Sequence, residues 1–204
     1  MIKIGLCGSS GSGKGYVCKK LKELYSIEHI DTDKVYRDLV NADSLCLREL
    51  CEFFGNEILN TDGSLNRRVL SARVFEGDGS DKRLKRLNEI THKYIKTETE
   101  RILKENEICG VWATLIDAPV LFESEFDKLC DCTVCVTAPT ELKLKRIIKR
   151  DGITPEKAEA RLRSQLSDEK LRALCDFEIV NNDSGDLEAR IDGFICELKT
   201  KFGN

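Results

Sequence analysis

Several things are scarce in this 204-residue chain. No apolar run approaches the ~20 residues that a membrane-spanning helix needs, so no membrane partner is expected. No charged-then-apolar leader opens it. Met1 to Gly5 runs straight towards a glycine-rich loop, so no targeting signal is expected and the cytoplasm is the expected compartment. Positive charge is not in excess. The 33 Lys and Arg against 36 Asp and Glu give a net charge of -3. That balance exerts no general pull on nucleic acid, so any anionic ligand must meet a local basic cluster. Internal repeats and low-complexity tracts are also missing, and there are only 2 histidines.

Cysteine, by contrast, is plentiful at 10 residues. Without a secretory segment these read as reduced thiols. Cys130-Asp131-Cys132-Thr133-Val134-Cys135 invites a metal reading, but the run has strand character and alternates faces, and no nearby His completes a ligand set. Packed thiols are expected there. The composition, 41% hydrophobic and 34% charged, suits a soluble globular chain of one domain with insertions.

The most informative stretch is Gly8-Ser9-Ser10-Gly11-Ser12-Gly13-Lys14-Gly15, directly behind the apolar run Ile2 to Cys7. Strand, glycine-rich loop, lysine and helix in that order make a P-loop, with the Gly-x4-Gly-Lys spacing complete. Glycines let successive backbone N–H groups turn towards phosphate oxygens, and the next helix adds its positive end. Lys14 supplies a mobile charge for the β- and γ-phosphates. Gly15 stands where a Ser or Thr hydroxyl ordinarily holds Mg²⁺.

Val17, Leu21, Leu24 and Tyr25 mark one face of the following helix. Ile27 to Ile30 reads as a second strand ending at Asp31-Thr32-Asp33. Ligands of open α/β sheets bind beyond the carboxyl ends of strands, so this acidic pair is expected to face the loop. Residues 34–108 show helical spacing and no strand pattern, which predicts a helical insert. Val111 to Asp117, Cys132 to Val136 and Phe177 to Asn181 supply three more strands. Thr140 is expected to cap a helix. Lys143, Lys145, Arg146, Lys149, Arg150, Arg161 and Arg163 crowd 140–165, a stretch with few acids, and suggest a mobile lid.

Strands alternating with helices predict an α/β P-loop NTPase fold: a five-stranded parallel sheet flanked by helices, with core 1–33, 109–139 and 166–204, insert 34–108 and lid 140–165 in one domain. The residues further resemble the dephospho-coenzyme A kinase family across nearly the whole chain. The resemblance rests on the P-loop, Asp31-x-Asp33-x3-Arg37, Asp62-Gly63-x-Leu65-x-Arg67, His92 (with Lys93 in place of the family's proline), Asp117 to Glu123, Arg146-x3-Arg150-Asp151-Gly152 and Arg161-x3-Gln165.

The resemblance implies transfer of the ATP γ-phosphate to the ribose 3'-hydroxyl of dephospho-coenzyme A, with ATP and Mg²⁺ required. Gly8, Ser10, Gly11, Ser12, Gly13, Lys14, Gly15 and Tyr16 would hold ATP, and Arg146 and Arg150 would close over its phosphates. Asp33 would be the general base, its other reading being a helix N-cap; Asp31 is the alternative base. Arg37, His92 and Arg161 would contact the acceptor. Asp31 and Asp117 would steady Mg²⁺ through water. A kinase for another small hydroxyl acceptor, such as a nucleoside, and a non-catalytic nucleotide-binding protein are the competing readings. Any self-association is expected to be weak.

Overall fold

A computed structural model describes residues 1–41 and 44–203. Its elements follow in the order β1 (Ile2–Cys7), α1 (Lys14–Tyr25), β2 (Glu28–Asp31), α2 (Thr32–Leu39), α3 (Leu45–Phe54), α4 (Arg67–Phe75), α5 (Ser80–Ile108), β3 (Ala113–Asp117), β4 (Cys132–Thr137), α6 (Thr140–Asp151), α7 (Pro155–Arg163), α8 (Asp168–Leu174), β5 (Phe177–Val180) and α9 (Leu187–Phe202). The chain divides into two compact units, Met1–Ile30 with Glu105–Asn204, and Asp31–Lys104.

The sheet runs β2-β3-β1-β4-β5, an order that needs a crossover between successive strands, helical everywhere but from β3 to β4, and gives the P-loop kinase layout. β1 lies between β3 and β4, parallel to both, with Leu6 opposite Asp117 and Cys7 opposite Cys135. A central strand is covered on both faces, which explains why Ile4, Leu6, Leu115 and Val134 are sealed from solvent. Val17, Leu21, Ile191 and Leu198 close over them from the helices. Each such side chain contributes on the order of 1.5–3 kcal/mol. That packing fixes the carboxyl end of β1, where the glycine loop begins.

In the second unit, Leu47, Leu50 and Phe54 of α3 pack with Ile58, Leu70, Val74 and Ile90 into a separate apolar core. One short antiparallel bridge, Leu59 with Leu65, interrupts the helices around the Asn60–Ser64 turn. It is too short to show as alternation in the sequence. One cap differs from expectation, and another removes the alternative reading of Asp33 as an N-cap. Pro139, not Thr140, occupies the N-cap place of α6 and offers no side-chain bond. Asp31, not Asp33, caps α2, its carboxylate accepting from the Lys34 N–H at 3.0 Å. Asp33 lies in the first turn, where a carboxylate complements the helix dipole.

Candidate active site

The loop between β1 and α1 is held at almost every residue. Gly11 has φ +78, and a Cβ there would come within 2.5 Å of the Lys143 carbonyl oxygen. At Gly13, φ +89, a Cβ would strike the Asn181 amide. Only glycine fits both demands, a left-handed backbone and a close neighbour. Arg146 of α6 reaches back to donate to the carbonyls of Gly11 (3.0 Å) and Ser12 (3.2 Å), while Asn181 donates to Ser12 at 2.9 Å. The carbonyls are drawn away on one side, which frees the amides to point elsewhere. Ser10 N–H donates to Gln165 at 2.9 Å.

Beneath the loop lies a buried ion pair. Lys143 and Asp168 are 2.8 Å apart with side chains only 7% and 14% exposed, and Ser9 joins them, donating to Asp168 at 3.0 Å. Lys143 also reaches Ser9 Oγ at 3.2 Å. Lys14, the first residue of α1, pairs with Asp117 Oδ1 at the end of β3. On the other oxygen of Asp117, Cys18 Sγ and His29 Nε2 each stand 3.5 Å away. Burial pushes the Asp117 carboxyl up, but His29 and Lys14 outweigh it and leave the group below its ordinary value. A cavity of about 120 Å³ opens beside Gly8 and Ser9, walled by residues 119–123 and 164–166.

A family model for dephospho-CoA kinase matches residues 2–187. The chain belongs to that family. A dephospho-CoA kinase of Corynebacterium efficiens is 36% identical over 203 residues, spanning 98% of this chain and 99% of the relative. Among solved structures, a Thermus thermophilus protein superposes with a TM-score of 0.76 at 30% identity, covering 97% of each chain. A dephospho-CoA kinase from Campylobacter jejuni does so with 0.70 at 25% identity, covering 98% of each.

Placed in this dephospho-CoA kinase frame, the residues singled out from sequence fall into separate groups. Lys14 and Asp117 meet directly, and Arg146 meets Gly11 and Ser12. Asp31 lies 3.8 Å from Arg37 within the second unit. Arg150 and Arg161 converge on Asp151, which they hold down to about 2 as an ionised carboxyl. Asp33 is exposed in α2; Tyr16 is exposed on α1. His92 is half-buried in α5, and burial pushes its imidazole down. The second unit holds a cavity of about 690 Å³ walled by Leu47, Arg48, Cys51, Glu52 and Asp62 among others; neither Arg37 nor His92 lines it.

Five of the seven cations named in 140–165 have acidic partners. Lys143 pairs with Asp168, Arg146 with Asp183 at 2.5 Å, Arg150 and Arg161 with Asp151, and Arg163 with Glu159. Lys143 in particular is a buried strut, not a solvated basic residue. Sequence reading missed it, and missed Asp168 and Ser9 with it, because the partners lie 25 and 134 residues from Lys143. The one available signal was the apolar periodicity of α6, which sets Lys143 on the same face as Ile147.

Proposed function

We propose that this protein is an ATP-dependent kinase that phosphorylates the ribose 3'-hydroxyl of dephospho-CoA to give coenzyme A. Membership of the family over residues 2–187, which includes the P-loop and both Asp31 and Asp33, is the observation that carries the reading. Phosphoryl transfer is mostly positioning and charge stabilisation, and the loop's geometry suits both. Arg146, Asn181 and the Lys143–Asp168 pair fix the loop before nucleotide arrives, so little reorganisation accompanies binding. Lys14 would exchange Asp117 for the β- and γ-phosphates. Asp33 would orient the acceptor hydroxyl and accept its proton. Arg37, His92 and Arg161 would contact the acceptor, and Arg150 would leave Asp151 to meet the phosphates.

Gly15 offers no hydroxyl, and a side chain there would meet nothing within 4 Å, so the helix start leaves room for water instead. With the Asp117 carboxylate at the strand end, the residues fit a magnesium ion held through water on the phosphates. Mg²⁺ would supply charge neutralisation of the triphosphate. Among the described residues no helix is long and apolar enough to cross a membrane.

The test is ADP release from ATP and Mg²⁺ with dephospho-CoA set beside nucleosides and nucleoside monophosphates. Turnover confined to dephospho-CoA is expected. Turnover confined to another acceptor, or ATP binding without turnover on any, would overturn the proposal.

A further inference from the structure

Cys18, His29 and Asp117 form a cluster in which Cys18 and His29 have no role above, while Asp117 already meets Lys14 through Oδ1 and is the carboxylate placed near the magnesium-bound water. Their donor atoms all lie within 4.8 Å of one another. Three different elements of one compact unit deliver them: α1, β2 and the end of β3. Cys18 is buried at 3% exposure. His29 Nε2 is sealed from solvent and, among the described residues, has no hydrogen-bond partner. It stands 3.5 Å from Asp117 Oδ2, the same oxygen on which Cys18 Sγ converges at 3.5 Å. Lys14 occupies Oδ1 instead.

We infer that these three side chains are a binding site for a borderline-soft divalent cation of the zinc class, separate from the magnesium that accompanies ATP. A thiol, an imidazole and a carboxylate are the donor set such ions select, whereas magnesium takes oxygen. Zinc bonds of about 2.0–2.3 Å in a tetrahedron place donors roughly 3.3–3.8 Å apart. Both 3.5 Å separations from Asp117 Oδ2 already satisfy that spacing, and the thiol and imidazole, within 4.8 Å of each other, would close by up to about 1 Å on binding. An ion among the three donors gives His29 Nε2 the partner it lacks. It also replaces the thiol–carboxylate contact with two stronger bonds. The Cys18 proton leaves to solvent as the sulfur–metal bond forms. A fourth position stays open to water, as it does in three-ligand zinc sites. Ligands carried by packed helix and strand positions need little rearrangement to bind.

The full chain, stripped of metal and kept reduced, is titrated with Co²⁺ alone in the absence of nucleotide. One cobalt per chain is expected, with a near-ultraviolet thiolate-to-metal absorption and visible bands of four-coordinate intensity. Cys18→Ser should abolish the thiolate absorption and His29→Gln should weaken binding at least tenfold. One equivalent of Zn²⁺ should bleach the signal, and excess Mg²⁺ should leave it intact. No stoichiometric uptake, an unchanged absorption in Cys18→Ser, or displacement by Mg²⁺ would each overturn the site. Circular dichroism and melting of the metal-free variants establish that they fold. Should Cys18→Ser fail to fold, wild-type affinity in His29→Gln is enough to reject the inference. Because no ATP or acceptor is present, the outcome is independent of the kinase reading.

Discussion

The two compact units hold their charged side chains in opposite ways. Under the glycine loop, Lys143 and Asp168 are an almost sealed pair that also engages Ser9. In the Asp31–Lys104 unit, Lys93 and Tyr94 meet Glu49 at a surface where Lys93 is more than half exposed, and Arg86 stands 3.5 Å from the same carboxylate. Removing one member of a buried pair strands the other in a poor dielectric, whereas water replaces a lost surface partner. The first unit therefore ties its glycine loop to buried, paired side chains. In the second, packing is left to the apolar core, and its polar surface tolerates change. Lys93 belongs to that surface: it continues α5 and pairs with Glu49.

The largest expected effect separates chemistry from stability. Asp33→Asn should lower turnover by about 10²- to 10⁴-fold, the range for loss of a general base. Its stability should fall by no more than about 1 kcal/mol, the worth of a first-turn carboxylate at an exposed helix start, because Asp31, not Asp33, is the cap. Steady-state kinetics beside urea unfolding checks both halves. A normal rate would remove Asp33 as the base.

Lys143→Met should instead cost stability first, with turnover falling as the loop loses its support. It leaves Asp168 without its cation in a site 14% exposed, at a cost of about 3 kcal/mol, the low end for a broken buried pair. Denaturant unfolding would show the loss, and Lys143→Met with Asp168→Leu should recover part of it. A single variant as stable as wild type would show that the pair does not hold the loop. Gly15→Ser is a smaller perturbation. The space is open, so the fold should accept it, and the added hydroxyl should lower the Mg²⁺ concentration needed for half-maximal turnover. An unchanged requirement would show that the ion is held without help from this position.

Lys93→Ala lies at the other end of the comparison. With Tyr94 and Arg86 still beside Glu49, its unfolding midpoint should be indistinguishable from wild type. A clear loss would mean that the surface cluster acts like the buried one.

What could be read in advance follows the range of the interactions. The sheet and most helices were legible because apolar periodicity is local, and the loop because Gly8, Gly13 and Lys14 lie within seven residues. Gly11 and Gly13 even signal their close neighbours, since no other residue fits a positive φ against a carbonyl or an amide. The Lys143–Asp168 strut and the meeting of Cys18, His29 and Asp117 depend on elements far apart in the chain. Lys143 looked like one more cation in a basic helix, and Cys18 like one more packed thiol. Only the tertiary fold distinguishes them.

His92 offers the finest probe of the second unit. Burial pushes its imidazole below the ordinary value, so the unfolded chain takes up the proton first as pH falls. The folded state is thus disfavoured on acidification through about pH 6.5, the unfolded value, and the loss levels off below the folded value. His92→Gln should flatten stability against pH across that window without altering the Lys143–Asp168 contribution, which belongs to the other unit. Urea midpoints of the two proteins between pH 5 and 8 supply the measurement. An equal slope in both would place the titration elsewhere and leave His92 as a side chain whose charge the fold does not sense.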